Sequence, residues 1–426
     1  MGVKSGYKQT EVGLIPDDWE LKALQDVFTL KSGFAFSSEH FSKVGPIVLT
    51  PGNFLLEGGL YFEDRNTKRY SGTYSSKMTF SRGDLLIVMT DLTPDCNLLG
   101  KPAVVQSDEV ILHNQRIGKV VLRDKSLELP LLFYMLLSRP YLARIREQAV
   151  GSTVRHTSSK SIYSAQLPWP PLREQFAIAE ALSDVDALIG ALERLIAKKR
   201  DLKQASMQLL LTGQTRLPGF QGEWGVTTLL KLAGGKKELF DDGDWIESEH
   251  ITSQGVRLVQ TGNIGIGRFL EKDDRKYIYE ASFTSLRCKQ LRTGDLLVCR
   301  LAEPAGRACV FPDIGEEKVV TSVDVTICRP PCEVVNRTYL ANLFSTPEWF
   351  RKVSDRSGGT THKRVSRGAL GRIQFELPPL PEQTAIAAVL TDMDAELTAL
   401  EQRLAKTRTL KQGMMQELLT GRTRLL

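Results

Sequence analysis

The chain has 426 residues, a formal net charge of +6, and 42% hydrophobic and 25% charged residues. This length is too great for one hydrophobic core, so we expect two or more domains, and no run of about 18 apolar residues exists that would form a transmembrane helix. Residues 1–13 lack the apolar stretch of a secretory signal, so the expected location is cytoplasmic. The mild positive charge is compatible with nucleic-acid binding but does not establish it.

The first segment, residues 1–168, is predicted to be a globular α/β domain. Short apolar runs bounded by Gly, Pro, Asp and Asn predict strands, among them GPIVLTPGNF, GDLLIVMT and IGKVVL. Residues 129–148 predict a pair of helices interrupted at Pro140. A polar, basic loop, residues 151–160, follows these helices.

Three polar clusters of this domain are candidates for DNA contact. Hydroxyl, amide and basic groups on loops suit phosphates, and Arg, Asn, Gln and His can also reach base edges. An ordinary solvated charged loop is the alternative for each cluster. The candidates are Lys68, Arg69 and Tyr70; His113, Asn114, Gln115 and Arg116; and Thr153, Arg155, His156, Thr157 and Lys160.

A long helical sequence occurs twice, at residues 169–217 and 378–426. The copies align without a gap at an offset of 208 residues (378 − 170), with roughly 30 of 48 positions identical, as expected for an internal repeat. Apolar residues at alternating spacings of four and three predict a coiled-coil seam. The seam residues are Ile178, Leu182, Val185, Ile189, Leu192 and Ile196, and Ile386, Leu390, Met393, Leu397, Leu400 and Leu404.

The seam pattern slips after these residues. Lys199 and Thr407 fill the next positions, and Leu202 and Leu410 are expected to resume the seam out of phase. Such a slip predicts a local bend or a change of supercoil. The start of the chain also resembles the sequence that follows the first helix, so two repeat units are expected, with the termini near each other.

The intervening segment, residues 218–377, repeats the plan of the first domain with different side chains. The strand GDLL recurs, and residues 358–367 match the loop at residues 151–160. The shared plan predicts two homologous domains that recognise different targets. The matching candidates for DNA contact are Arg275, Lys276 and Tyr277, and Thr360, Thr361, His362, Lys363, Arg364 and Arg367.

No catalytic motif stands out in the chain. The phosphate-binding loop GxxxxGK[ST] is absent, as is the Asn/Asp-Pro-Pro-aromatic loop of amino-methyltransferases. Asp313, Glu316 and Lys318 form a short string that resembles a magnesium-dependent nuclease site, although the two acids lie close together in sequence. Two alternatives therefore stay open beside DNA reading: a nuclease, and a coiled-coil adaptor that does not bind DNA.

The whole chain resembles the DNA-specificity subunits of type I restriction-modification systems. The resemblance is carried by the helix starts PLREQ and PLPEQ, the helix ends LTGQTRL and LTGRTRL, the two GDLL strands, and the Gly-Ser and Gly-Thr loops before each helix. Arg173 stands where the family usually has proline.

The resemblance implies two α/β target-recognition domains separated by two long antiparallel helices that form a coiled coil, with an internal pseudo-two-fold repeat. Each domain would read one half of a bipartite, asymmetric site in double-stranded DNA. The helices would set the spacing and dock two methyltransferase subunits, and restriction and translocase subunits would be further partners. The chain itself would be non-catalytic and hold no metal or cofactor, because S-adenosylmethionine, ATP and magnesium belong to those partners. Alanine at Arg155 or Arg364 is expected to weaken DNA binding and reduce its salt dependence.

Overall fold

The computed structural model describes residues 5–93, 95–123, 128–301, 304–359 and 363–425. The chain forms two compact units: unit 1 contains Met1–Glu193 and Gln402–Leu426, and unit 2 contains Arg194–Glu401. Each unit thus combines one globular domain with one half of each long helix.

The globular part of unit 1 is built on short strands and helices that follow the predicted order. The strands are β1 (Tyr7–Thr10), β2 (Gly13–Pro16), β3 (Glu20–Ala23), β4 (Phe28–Ser32), β5 (Phe41–Val48), β6 (Lys68–Tyr70), β7 (Leu85–Val88), β8 (Thr90–Asp91), β9 (Pro102–Val104), β10 (Ile111–Leu112), β11 (Ile117–Leu122), β12 (Arg155–His156) and β13 (Gln166–Trp169). The helices are α1 (Leu24–Val27), α2 (Leu129–Leu136), α3 (Arg139–Glu147), α4 (Ser159–Tyr163) and the first long helix, α5 (Leu172–Leu211).

Unit 2 repeats this arrangement. Its strands are β14 (Gly225–Thr227), β15 (Phe240–Asp242), β16 (Ile251–Thr252), β17 (Val256–Val259), β18 (Lys276–Ile278), β19 (Leu296–Cys299), β20 (Ala308–Val310), β21 (Val319–Thr321), β22 (Val325–Cys328) and β23 (Phe375–Leu377). Its helices are α6 (Leu229–Leu232), α7 (Glu280–Ser285), α8 (Arg337–Leu343), α9 (Pro347–Ser354), α10 (Arg367–Gly371) and the second long helix, α11 (Leu380–Leu418).

The central sheets of the two units have the same topology. Unit 1 has the strand order β4-β11-β7-β9, and unit 2 has the order β15-β22-β19-β20, with every neighbouring pair antiparallel. A second sheet in each unit contains a parallel pair, β5 with β10 and β17 with β21. The predicted mixed α/β fold is therefore confirmed in both units.

The repeated GDLL sequences form strands that are buried on both faces. In β7, Leu85 and Ile87 pack in the core beside helices α2 and α3, whereas Leu86 and Val88 pack in a second core. Because side chains alternate along a strand, an apolar residue is needed at each of these positions. β19 repeats the alternation between two cores of unit 2.

The long helices run antiparallel where they meet within each unit. In unit 2, Lys199 lies 2.7 Å from Glu396 and Lys203 lies 2.5 Å from Asp394, so residue numbers rise along α5 as they fall along α11. In unit 1, Asp186 makes the equivalent contact with Lys411 at 2.6 Å. The pairs Lys203–Asp394 and Lys411–Asp186 are related by the 208-residue repeat. The predicted antiparallel helix pair is thus present in each unit.

All twelve predicted seam residues are buried or half-buried. The buried ones are Ile178, Leu182, Leu192, Ile196, Ile386, Leu390 and Leu397, and the half-buried ones are Val185, Ile189, Met393, Leu400 and Leu404. The expected resumption of the seam is wrong, because Leu202 is 46% exposed and Leu410 is 58% exposed. Both helices nevertheless continue without interruption past these positions.

Replacing Arg200 with alanine is expected to lower the free energy of unfolding by only about 0.2–1 kcal/mol. Arg200 lies 2.5 Å from Glu401, but its side chain is 61% exposed, so water and salt screen the pair. Urea unfolding of wild type and variant in low and high salt measures the difference. A loss several times larger would show that this pair, rather than the apolar seam, holds the helices together.

Repeated residues at the ends of the long helices form a buried polar clamp in each unit. In unit 1, the Glu174 carboxylate accepts from Arg424 at 2.8 Å and from the Trp19 indole at 3.0 Å. In unit 2, Glu382 pairs with Arg216 and accepts from the Trp224 indole at 3.3 Å. The two glutamates are 1% and 0% exposed.

The glutamine after each clamp glutamate closes the start of its helix. Gln175 donates to the Pro170 carbonyl at 3.0 Å, and Gln383 donates to the Pro378 carbonyl at 2.8 Å. Arg424 also pairs with Asp18 at 2.7 Å, so the predicted proximity of the chain's two ends is confirmed. This hydrogen bond to Arg424 lowers the pKa of Asp18. Among the described helices, none is both long and apolar enough to span a membrane.

Candidate nucleic-acid interface

The two basic loops close in the same way in both units. A bridge joins Val150 to His156 in unit 1, and an equivalent bridge joins Gly358 to Arg364 in unit 2. The loops therefore match at an offset of 208 residues, not at the 207 of the sequence alignment (358 − 151). Gly151 has a φ of +110°, and a Cβ there would lie 2.1 Å from the Val154 carbonyl oxygen, so the turn requires glycine.

The loop of unit 1 is held against the central sheet. β12 pairs with β8, which follows directly after the buried strand β7, and Thr90 Oγ1 lies 3.1 Å from His156 Nδ1. Ser158 accepts from the Ser161 amide at 3.0 Å and caps α4. The polar loop is thus fixed at both ends.

A polar crevice of about 310 Å³ lies between this loop and the sheet of unit 1. It brings the predicted Gln115 together with His156 and Thr157, which are 41 and 42 residues further along the chain. Gln115 and His156 are exposed, whereas Thr157 is 6% exposed. The crevice is lined by Leu30, Lys31, Ser32, Met89, Thr90, Gln115, Ile117, Gly118, His156, Thr157, Ser158 and Ser159.

Ion pairs occupy the equivalent position in unit 2. Arg300, which is 3% exposed, lies 3.0 Å from Asp242. Arg364 lies 2.8 Å from Asp324, and Arg367 pairs with Asp241. A neighbouring crevice of about 430 Å³ is lined by residues that include Asp324 and the predicted Lys276.

Most predicted contact residues of unit 1 lie on its surface, but three lie inside the fold. Tyr70 is 7% exposed and packs edge-on to Phe36 at 5.1 Å. His113 is 3% exposed, packs against the Phe80 ring with ring centroids 4.3 Å apart and planes tilted by 37°, and hydrogen-bonds with the Ile117 carbonyl. A surface role for these two residues and for Thr157 is therefore wrong. The exposed or half-exposed candidates are Lys68, Arg69, Asn114, Gln115, Arg116, Thr153, Arg155, His156 and Lys160.

The predicted triad of unit 2 is engaged by acids. Arg275 lies 3.0 Å from Glu271, Lys276 lies 2.9 Å from Asp274, and Tyr277 donates to Glu316 at 3.1 Å. Lys276 pairs with Leu258 in unit 2, and Lys68 pairs with Val48 in unit 1. The residue equivalent to Lys68 is therefore Lys276, not Arg275. Lys363 is exposed, whereas Thr360, Thr361 and His362 lie outside the described residues.

The nuclease-like string does not assemble as a site. Asp313 accepts from the Gly315 amide within a turn, Glu316 accepts from Tyr277, and Lys318 lies 2.9 Å from Glu280. The three side chains therefore have separate local partners. Across the described residues, no group of three or more His, Cys, Asp or Glu side chains is arranged to hold a metal ion.

Sequence reasoning missed two buried arginines of unit 2, Arg257 and Arg300, and the half-buried Asp242 that pairs with Arg300. Arg257 is 1% exposed; it lies 3.1 Å from Glu271 and over the Tyr277 ring at 5.7 Å. Arg300 and Asp242 are 58 residues apart in sequence (300 − 242) and meet only through the sheet. Neither pair has a local spacing that the sequence could have shown.

Lowering the pH from 7.5 to 5 is expected to destabilise unit 1 through His113. Burial lowers the pKa of His113, so the unfolded chain, with an ordinary histidine pKa, binds a proton that the folded state excludes. Stability is therefore present above about pH 6.5 and falls below it, by at most about 1.4 kcal/mol per pH unit. Urea unfolding of wild type and His113→Phe checks this; an equal pH dependence in both would contradict it.

The sequence matches a known family over most of its length. The family profile described as "Type I restriction modification DNA specificity domain" matches residues 16–199 and 237–408. The chain is 22% identical to the MjaVIII specificity subunit of Methanocaldococcus jannaschii, over 99% of this chain and 97% of that protein. It is 23% identical to the EcoBI specificity subunit of Escherichia coli, over 96% and 86%.

Solved structures show the same fold. The S subunit of a type I restriction-modification system from M. genitalium superposes with a TM-score of 0.57 at 14% identity and covers 98% of both chains. A chain from a structure on complex assembly and conformational transition of the type I R-M system gives a TM-score of 0.54 at 17% identity. That alignment covers 96% of this chain and 99% of the other.

Proposed function

The chain belongs to the family of type I restriction-modification DNA-specificity subunits, and we propose that it reads a bipartite, asymmetric site in double-stranded DNA, one half in each unit. One observation carries this proposal. The same loop is held against the segment that follows the matching central strand, β7 in unit 1 and β19 in unit 2, but its contact residues differ, with His156 in unit 1 where unit 2 has Arg364. Two homologous frames with different side chains suit two different half-sites.

In this proposal unit 1 reads base edges with the polar groups of its crevice. Gln115 would pair with an adenine edge through its amide, and Arg116 and Arg155 would neutralise phosphates. The buried sheet below holds the loop, so little ordering entropy is lost when DNA binds. Because base contacts and phosphate contacts come from neighbouring strand ends, affinity and discrimination arise at one surface.

The long helices have two proposed roles, as a spacer and as a docking surface. Each is continuous over about 40 residues, which corresponds to roughly 60 Å of helix, so it can fix the separation of two half-sites. Two methyltransferase subunits would dock on the repeated helix sequences, and restriction and translocase subunits would join them in the cytoplasm. S-adenosylmethionine, ATP and magnesium would act in those partners, and this chain would contribute no catalytic group.

The test is to express the chain with its partner subunits and map the methylated bases of the host genome. One bipartite motif with an unread gap is the expected result, and a duplex carrying it should bind far more tightly than an unrelated duplex. No methylation and no DNA binding by the assembled complex would favour the adaptor alternative. Magnesium-dependent cleavage by the chain alone, lost in Asp313→Ala, would instead favour the nuclease.

A further inference from the structure

The candidate basic residues of the two units differ in their partners. Unit 1 has five, of which only Arg69 has a carboxylate within 4 Å among the described residues, Glu109 at 2.8 Å. Unit 2 also has five, and only Lys363 lacks such a carboxylate within the described part of the chain. The unit 1 set is Lys68, Arg69, Arg116, Arg155 and Lys160, and the unit 2 set is Arg275, Lys276, Lys363, Arg364 and Arg367.

The acids of unit 2 occupy positions that are neutral or basic in unit 1. Gly118 and Thr326 occupy the same position in the two repeats. Gly118 pairs with Ser32, and Thr326 pairs with Asp242, so Ser32 is equivalent to Asp242. The preceding residues, Lys31 and Asp241, are equivalent in the same way. Arg116 directly precedes β11, and Asp324 directly precedes the matching strand β22, so these two residues are also equivalent.

The sum of charges at the six equivalent positions shows the difference. In unit 1 the two cations are unopposed, giving +2 with histidine neutral; in unit 2 three arginines face three aspartates, giving 3 − 3 = 0. The six positions are Lys31, Ser32, Met89, Arg116, His156 and Ser159 in unit 1, and Asp241, Asp242, Arg300, Asp324, Arg364 and Arg367 in unit 2.

This balance persists even when an individual ion pair opens. The Arg364 side chain is 44% exposed, so a phosphate can compete for it at a cost of less than about 1 kcal/mol. Asp324, however, stays at the start of its strand and repels the phosphate that has displaced it. The net release of counterions, which drives sequence-independent DNA binding, is then small.

We propose that unit 1 supplies most of the phosphate-based affinity for DNA and that unit 2 is a charge-balanced reader, which contributes discrimination between bases rather than general affinity. This inference rests on the proposed function. A carboxylate such as Asp324 accepts a hydrogen bond from the amino group of cytosine or adenine, whereas it opposes a phosphate. Unit 2 therefore gains free energy chiefly from a matching base edge. The inference replaces the sequence-based expectation that Arg155 and Arg364 act alike.

The experiment measures how binding of a fluorescein-labelled 30-base-pair duplex of arbitrary sequence depends on salt, with the full-length chain. A plot of log K against log salt has a negative slope, and Arg155→Gln is expected to reduce the magnitude of that slope by about 0.9, the value for one lost phosphate contact. Arg364→Gln should leave the slope unchanged. Asp324→Asn should increase the magnitude of the slope by up to about 0.9, because it frees Arg364 to contact a phosphate.

Lys363→Gln is the matched control within unit 2, because this residue has no acid partner among the described residues. It should reduce the slope as Arg155→Gln does, and it is exposed, so folding is not at risk. Equal reductions by Arg155→Gln and Arg364→Gln would overturn this inference while leaving the proposed function intact. Failure of the wild-type chain to bind this duplex, together with failure of the assembled complex to bind any duplex, would overturn the proposed function itself.

Discussion

Inserting one base pair into the gap between the two half-sites is expected to weaken binding of the assembled complex about 100-fold. One inserted pair moves a half-site by about 3.4 Å and rotates it by roughly 35° around the DNA axis. α5 and α11 are continuous helices with buried seam residues, and in the proposed spacer role they would resist the matching twist. The second unit then loses its half-site, and with it the advantage of intramolecular binding.

Competition titrations with duplexes that differ only in the gap measure this effect. A duplex with the same base pair inserted outside the bipartite site is the control, and it should bind as the original does. Deleting one pair from the gap should be as harmful as adding one. Equal affinity for all gap lengths would show that the helices are not a rigid spacer.

Replacing Glu174 with alanine is expected to lower the free energy of unfolding of unit 1 by about 2–4 kcal/mol. Glu174 is 1% exposed and accepts from both Arg424 and the fully buried Trp19. Its removal leaves an indole N–H unsatisfied in the core and an arginine without its partner, and neither group can regain full hydration. Urea unfolding followed by tryptophan fluorescence reports the change, since Trp19 is in the clamp.

Glu180→Ala is the matched control, because Glu180 is exposed on the same helix and has no polar side-chain contact among the described residues. It should change stability by less than about 0.5 kcal/mol. Glu174→Gln should lie between the two, since an amide still accepts from Trp19 but carries no charge. Equal stability of the Glu174→Ala and Glu180→Ala variants would mean that the clamp does not stabilise unit 1.

The clamp gives a structural role to several residues that the sequence showed only as repeated. Glu174, Gln175 and Arg424 recur as Glu382, Gln383 and Arg216, and each set makes the same contacts in its own unit. The sequence showed that these residues repeat, but not that Arg424 pairs with Glu174, 250 residues earlier in the chain. The pairing needs the end of the chain to return to the start of α5, which is a property of the fold.

The sequence by itself determined the repeat, the mixed α/β class, the two long helices and their seam. These features depend on local periodicity and on identity between copies, and both can be read along one chain. It also located the two basic loops, because Gly, Ser, Thr, Lys and Arg cluster there.

Only the tertiary structure decided which candidate residues are exposed and which of the basic ones are paired with acids. Tyr70 and His113 have polar atoms but lie in the interior, where the aromatic rings of Phe36 and Phe80 pack against them. Arg364 belongs to a basic run in sequence, yet Asp324, 40 residues away (364 − 324), lies 2.8 Å from it. Electrostatic interactions depend on distance in space, so a run of like charges in sequence does not determine the field at a folded surface.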